Sequence, residues 1–387
     1  MLDYMEIEAD LGQEERLILD TAREFVQEEV KPNIADWYQD DHFPIELVPE
    51  MGELGFYGAN MDGYGLPNIS EKAYGLLNQE LEAGDSGIRS FSSVQGGLVM
   101  YPIHRWGSED QKEEWIPKLA SGEKIGCFGL TEPEHGSDPG GMETTAEPDG
   151  DDYILDGSKT WITNAPISDV AIVWARDVGD EDRPVRGFIV ETDRDGVSTN
   201  KQGDKLSMRA SSTGEIGLTN ARIPKENMLP EAKGLKAPLS CLSQARYTIA
   251  WGAVGVARDC FETARDYALE REQFDKPIAG FQLQQEKLAE MATQITTSQL
   301  LVHRLAELKE RGDVTAAQIS MAKRNNVRMA REQAKVAREM LGGNGVTADY
   351  PPMRHMANIE SVYTYEGTHD IHSLIVGEEL TDIPAYR

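Results

Sequence analysis

Along the first 125 positions the apolar residues recur at helical spacing. Ile18, Ala22, Phe25 and Val26 share one helix face, and Leu47, Met51 and Leu54 share another. Pro32 closes the first of these segments. A further helix is predicted through Ala73, Leu76, Leu77 and Leu81, ending near Gly84. Residues 85–95 are mostly small, carry one arginine, Arg89, and lead into the apolar run 97–100. From about 126 to 225 the pattern changes to short apolar runs at 154–155, 170–174 and 187–190. Turn signals at Asp156-Gly157 and Asp195-Gly196 separate them, and 148–152 reads as a surface turn. Long helices return after about 235, over 237–271, 282–311 and 314–341, the last two ending at Gly312 and at Gly342-Gly343. These lengths fit an antiparallel bundle. The expected architecture is α+β and multidomain: an N-terminal helical domain (1–125), a middle β domain in barrel or sandwich form (126–232) and a C-terminal four-helix bundle (233–387). The chain has no internal repeat and no low-complexity segment.

Charge changes this picture more than composition does. Hydrophobic residues make up 40% of the 387 and charged residues 27%, an ordinary globular profile, yet the formal net charge is -29. Such acidity argues against a nucleic-acid backbone or an anionic membrane as partner. Its spread over most helices and loops fits solvation in concentrated salt, where repulsion is screened within a few ångströms, so a halophilic source is expected. Cys127, Cys241 and Cys260 have no metal-ligand spacing and do not form an even disulfide framework. The acidic start lacks a signal core, and no apolar run reaches membrane-spanning length, so a reducing, cytoplasmic compartment is expected.

Three stretches carry candidate chemistry. Phe128-Gly-Leu-Thr-Glu-Pro-Glu-His-Gly-Ser-Asp138 offers backbone N–H groups and hydroxyls that suit a flavin edge or a pyrophosphate, though an ordinary polar loop has the same composition. Lys159-Thr-Trp-Ile-Thr-Asn164 places an aromatic, Trp161, beside a hydroxyl, Thr163; this is either a wall for a planar cofactor or a core tryptophan. In Tyr365-Glu-Gly-Thr368, Gly367 frees the backbone beside Glu366, and Thr368 caps the helix suggested by Ile371, Leu374 and Ile375. A carboxylate set there is a candidate base, or a solvated residue ahead of a capped helix. His369 and His372 fall on one helical face without a further ligand set, so no metal site is expected.

Taken together, these motifs resemble the acyl-CoA dehydrogenase family in their order along the whole chain. The likeness rests on Leu130-Thr-Glu-Pro133 with Gly136-Ser-Asp138, Trp161-Ile-Thr163, Arg271-Glu-Gln-Phe274, Leu341-Gly-Gly-Asn-Gly345 and Tyr365-Glu-Gly-Thr368. The resemblance implies FAD as cofactor, a homotetramer built as a dimer of dimers, and electron transfer flavoprotein as electron acceptor. It implies flavin and substrate contacts from Phe128, Leu130, Thr131 and Ser137. A wall beside the isoalloxazine would come from Trp161, Ile162 and Thr163. Subunit-crossing FAD contacts would come from Arg271, Phe274, Gln282, Glu339, Gly342 and Gly343, and a phosphate or adenine-side contact from Thr368. Glu366 matches the catalytic base, which would take the α-proton while the β-hydride passes to the flavin. Some members carry the base just before the position of Arg246, but here that residue is Ala245.

Several segments resemble the glutaryl-CoA dehydrogenases more narrowly: 89–95, 128–131, 245–247, 249–252 and 365–372. That likeness implies glutaryl-CoA as substrate, with Arg89, Ser90 and Ser93 at its distal carboxylate. Arg246, Gly367 and Tyr386 would line the rest of the substrate site, and Glu82 and Tyr365 match members that release CO₂. Glu134, His135 and Tyr386 depart from the usual residues. A cation at position 89 is costly to bury unless it meets an anion, so a rival reading pairs Arg89 internally with Glu82 and gives another short acyl-CoA as substrate.

Overall fold

The computed structural model describes residues 3–385. Seven α-helices come first: α1 (Gln13–Phe25), α2 (Ile34–Gln39), α3 (Val48–Glu53), α4 (Glu71–Gly84), α5 (Ser86–Ser93), α6 (Tyr101–Trp106) and α7 (Glu109–Ala120). Ser70 caps α4 by accepting from the Ala73 N–H at 3.1 Å, and Asp85 caps α5 by accepting from the Gly87 N–H at 2.7 Å. The small-residue stretch after Asp85 is helical throughout, because a π-helical turn, Val94–Met100, carries α5 into α6. Helix α4 is buried on every side from Ala73 to Gly84. It therefore behaves as a central strut rather than an amphipathic surface helix.

The middle region is one sheet of β1 (Gly126–Gly129), β2 (Thr145–Asp149), β3 (Asp152–Thr163), β4 (Val170–Asp177), β5 (Val185–Glu191), β6 (Val197–Lys201) and β7 (Thr213–Pro224). β1 and β2 lie end to end along one edge of β4, with β5 on its other edge; β3, β7 and β6 extend the sheet beyond β2. Alternation along β4 decides the packing. Val170, Ile172 and Trp174 join the core formed by the helices. Ala171, Val173 and Ala175 face a second core with Leu155, Ile216, Leu218 and Ile223 from β3 and β7. The sheet thus curls over its own face, as the barrel-like expectation required. Asp156-Gly157, expected to be a turn, lies inside β3. The register shifts there and Gly157 has φ 148°, so the glycine makes a bulge that bends the strand instead of ending it.

After the sheet come α8 (Lys236–Glu270), a short hairpin of β8 (Glu272–Gln273) and β9 (Lys276–Pro277), then α9 (Gln282–Glu310), α10 (Ala316–Met340), α11 (Pro351–Thr364) and α12 (His369–Thr381). The N-terminal helices share one core with this bundle. Ion pairs cross the same boundary: Arg258 to Glu80 at 2.5 Å, Lys31 to Asp259 at 2.6 Å and Arg354 to Asp85 at 2.5 Å. α4 and α8 approach closely because glycines line the contact. A Cβ at Gly255 would stand 1.9 Å from the Gln79 carbonyl oxygen, and one at Gly75 would stand 2.2 Å from the Trp251 ring. Among the described residues no helix is long and apolar enough to cross a membrane.

Candidate active site

Between α11 and α12 the chain turns sharply. Glu366 has φ 51° and Gly367 φ 95°, both in the left-handed region. Gly367 is required twice over, since a Cβ there would also lie 3.0 Å from His372 Nε2 and 3.2 Å from Arg246 Nη2. A left-handed glutamate costs about 1–2 kcal/mol, so its surroundings must hold it. Arg246 on α8 donates from Nε to the Glu366 carbonyl at 2.7 Å. Lys323 on α10 donates from Nζ to the Gly367 carbonyl at 2.7 Å and also to the Tyr365 carbonyl. Thr368 accepts from the Ile371 N–H at 3.2 Å and so caps α12. The Glu366 side chain is half-buried; its Oε2 is sealed from solvent without a hydrogen-bond partner. Burial raises its pKa above the ordinary carboxylate range. Lys323, Arg89 and Arg246 oppose that rise, and Glu82 adds to it.

Arg89 on α5 is fully buried. Its Nε donates to Glu82 Oε2 at 2.8 Å and its Nη2 to Glu82 Oε1 at 3.4 Å; Nη2 also donates to the Tyr365 hydroxyl. Nη1 is buried without a partner. Glu82 fits only because α8 has a glycine opposite, where a Cβ on Gly252 would come within 1.8 Å of Glu82 Oε2. Ser90 and Ser93 are buried on the same helix. The Ser93 hydroxyl, however, bonds to Thr248 Oγ1 at 2.9 Å rather than to Arg89. The structure therefore gathers Glu82, Arg89, Tyr365, Glu366, Gly367 and Arg246 around one turn.

The residues expected on the flavin side lie together where the 128–138 segment meets the end of β3. The Thr160 N–H donates to the Thr131 carbonyl at 3.0 Å, which sets the 128–138 segment beside Trp161. Phe128, Leu130 and Ile162 are buried, Thr131 and Thr163 half-buried, and Ser137 exposed. Trp161 has φ 59° and is 61% exposed. A bulky aromatic strained into the left-handed region and turned out of the core is placed to meet something flat. This segment is tied to the Glu366 turn through the loop before β7. Thr163 pairs with Thr213, whose hydroxyl accepts from Lys205 Nζ at 3.1 Å. Two residues on, Ser207 bonds to Ser361 at 2.6 Å, one helical turn before Tyr365.

The remaining FAD-contact expectations fall elsewhere. Arg246 and Arg271 are 25 residues apart on or just past α8, about 37 Å along the helix. Arg271, Phe274, Gln282, Glu339, Gly342 and Gly343 are exposed at that far end. The Lys287–Glu339 pair at 3.8 Å and the Asn344–Tyr267 bond at 3.1 Å draw their elements together. Tyr386 lies outside the described residues. His372 is buried with neither ring nitrogen hydrogen-bonded, and His369 stacks on Tyr363 at 4.5 Å. All three cysteines are free and buried, and burial pushes the Cys127 thiol up to about 12, so they are packed thiols and not nucleophiles. Sequence reading missed Lys323, Thr248 and Gly252. Lys323 carried a signal: with Ile319, Ala322, Asn326, Val327 and Ala330 it lies on the buried stripe of α10.

A helical layer, a curled sheet and a bundle around a half-buried carboxylate match a known class along the whole chain. Three family profiles match in order: "Acyl-CoA dehydrogenase, N-terminal domain" over 12–123, "middle domain" over 127–221 and "C-terminal domain" over 232–381. The chain belongs to the acyl-CoA dehydrogenase family and is an FAD-dependent oxidoreductase. Glutaryl-CoA dehydrogenase of Desulfococcus multivorans is 35% identical over 375 residues, covering 95% of this chain and 96% of that one. The mitochondrial short-chain specific acyl-CoA dehydrogenase of Bos taurus is 34% identical, covering 98% and 92%. Two crystal structures of a glutaryl-CoA dehydrogenase from Mycobacterium smegmatis superimpose with TM-scores of 0.97. They are 52% and 49% identical, the second in complex with FADH2, and both pairs cover 100% of this chain and 99% of the other.

Proposed function

We propose that the chain catalyses oxidative decarboxylation of glutaryl-CoA to crotonyl-CoA and CO₂. The observation that carries this reading is the Nη1 of Arg89, a buried cationic donor without a partner, set beside Tyr365 and the Glu366 turn. A carboxylate at the far end of an acyl chain is the group that satisfies it. The charge balance supports the same ligand. Arg89 and Arg246 against Glu82 leave one positive charge for a dicarboxylic acyl chain, and Lys323 and Glu366, whose pKa values are pushed towards each other, add none as a pair.

FAD, when bound, supplies the hydride acceptor; Trp161, Thr131 and Thr163 would hold its ring, and Thr368 would face its phosphate or adenine side. Glu366 takes the α-proton, and its raised pKa brings its basicity towards working pH. The Glu366 N–H would stabilise negative charge on the thioester oxygen. Arg89 orients the distal carboxylate while Glu82, bonded to the same guanidinium, offsets its charge. The carboxylate is thus held without being locked by a full ion pair, which favours its loss as CO₂ from the unsaturated product. Tyr365 accepts from Arg89, so its O–H remains free to donate into the site. Protonated Glu366 then returns its proton to the dienolate that decarboxylation leaves, giving crotonyl-CoA.

One observation favours a second reading. Arg89 already makes two bonds to Glu82. With that pair as its sole duty, the substrate would be another short acyl-CoA and no CO₂ would be released. A product assay with glutaryl-CoA, an artificial electron acceptor and mass detection separates the two. Crotonyl-CoA with CO₂ is expected; glutaconyl-CoA would remove the decarboxylation, and reduction by monocarboxylic acyl-CoAs alone would leave the second reading.

The proposal extends to the assembly and its setting. The three domains are taken as 1–125, 126–232 and 233–387. The exposed Phe274, Leu283 and Leu269 beside Arg271 support a homotetramer, a dimer of dimers in which this far end completes a neighbour's FAD site. Electron transfer flavoprotein would take the electrons, in a cytoplasm of high salt. The net charge of -29 predicts that the thermal midpoint rises from low to molar KCl as repulsion is screened. Full stability in dilute buffer would remove the halophilic reading.

A further inference from the structure

The turn that carries Glu366 presents three successive carbonyls, of Tyr365, Glu366 and Gly367, and every one accepts from a buried cation. Arg246 serves the middle one. Lys323 serves the outer two, which converge because two consecutive left-handed residues fold the chain back on itself. Lys323 itself is 1% exposed, in the middle of α10, and its Nζ stands 5.7 Å from the centre of the Tyr365 ring. A buried ammonium is expensive unless paired and hydrogen-bonded, and two carbonyls do not neutralise it; burial pushes the Lys323 pKa well below its ordinary value, and the charge of Glu366 is first among those that hold it up. The anion it faces is Glu366, and Lys323 is the strongest of the cations acting on that carboxylate.

We propose that Lys323 is a positioning residue for the base: it clamps the carbonyls on both sides of Glu366, aims the carboxylate, and supplies the counter-charge that keeps it ionised. This rests on Glu366 being the base. A neutral amide could reach both carbonyls but would bring no charge to Glu366, whereas an arginine would keep the charge on a longer, planar donor set. The other groups facing the pair are Glu82 from α4, Arg89 from α5, Arg246 from α8, and His369 and His372 from α12. Burial and the nearby cations push His372 down to about 2, so it stays neutral through the working range and does not compete for the proton.

The sign of the pH effect follows. Only ionised Glu366 accepts the α-proton. Removing the nearby cation raises the carboxyl pKa, so the acidic limb of the rate moves to higher pH. In the FAD-loaded enzyme, Lys323→Met is expected to slow flavin reduction on the order of 10²-fold through misplacement of the base. Its acidic limb should move up by about one unit or more, with KM for glutaryl-CoA nearly unchanged. Lys323→Arg should keep the acidic limb near its original place while still losing rate. A readout independent of turnover is the infrared band of the protonated Glu366 carboxyl, assigned by its disappearance in Glu366→Gln. That band should persist to higher pH in Lys323→Met. An unshifted band and limb, whether or not rate and melting temperature fall, would overturn the proposal. If Lys323→Met does not fold, the same band in Lys323→Gln decides. Full activity in Glu366→Gln would instead refute the base assignment, a different result from any of these.

Discussion

Glu366→Gln is expected to bind FAD and acyl-CoA yet reduce its flavin about 10²–10⁴-fold more slowly, the usual contribution of a positioned base. Glutamine preserves the shape and the left-handed backbone at φ 51°. It removes the ability to accept the α-proton together with the negative charge that Lys323 faces. Because Glu366 Oε2 has no protein partner, the amide breaks no hydrogen bond made by that atom. The turn itself is held through main-chain carbonyls by Arg246 and Lys323, which the substitution does not touch. Anaerobic stopped-flow reduction with glutaryl-CoA measures the effect. Reduction at the original rate would mean that the proton leaves to another group, and with Ala245 in the family's alternative position no second carboxylate is at hand there.

The second large effect is at Arg89. Arg89→Met removes the donor proposed for the distal carboxylate, and losing one partner of a desolvated charge pair costs about 2–5 kcal/mol. Turnover of glutaryl-CoA should fall by roughly 30- to several-thousand-fold. A monocarboxylic acyl-CoA of similar length, which has nothing to lose at that end, should fall much less. Glu82 would be stranded in the single variant as a buried, unpaired carboxylate, so the comparison is made again in Arg89→Met with Glu82→Gln. The substrate preference should shift in the same direction in both. Equal losses for both substrates would assign Arg89 to packing and its ion pair with Glu82, and would favour the second reading.

The sequence showed the architecture where periodicity is strong and the Glu366 turn where residue types are unusual. α4, α8, α9 and α10 appear near their observed bounds because long apolar periods are hard to mistake. Asp156-Gly157 misled because a bulge and a turn both call for glycine in an unusual conformation, and only strand pairing tells them apart. Glu366 and Arg89 stood out as charges among small and apolar neighbours. Lys323 did not, although it occupies the buried face of α10, because a lysine in a helix reads by default as a solvated charge. Gly252 was hidden for a different reason. Its necessity comes from Glu82, which lies 170 positions earlier in the chain, and no local pattern reports a contact across that distance.

The division of apolar residues between two cores has a consequence during synthesis. The sheet keeps one of these cores to itself, so residues 126–224 are able to collapse as soon as they leave the ribosome. The first seven helices have no such option. Part of their apolar surface closes against α8 and α9, and α9 ends only at residue 310. At about 5–20 residues per second, those faces wait on the order of ten seconds or more for their partners to be made. During that interval the net charge of -29 acts between nascent chains as well as within one, and in dilute salt it holds faces that have no partner yet away from one another.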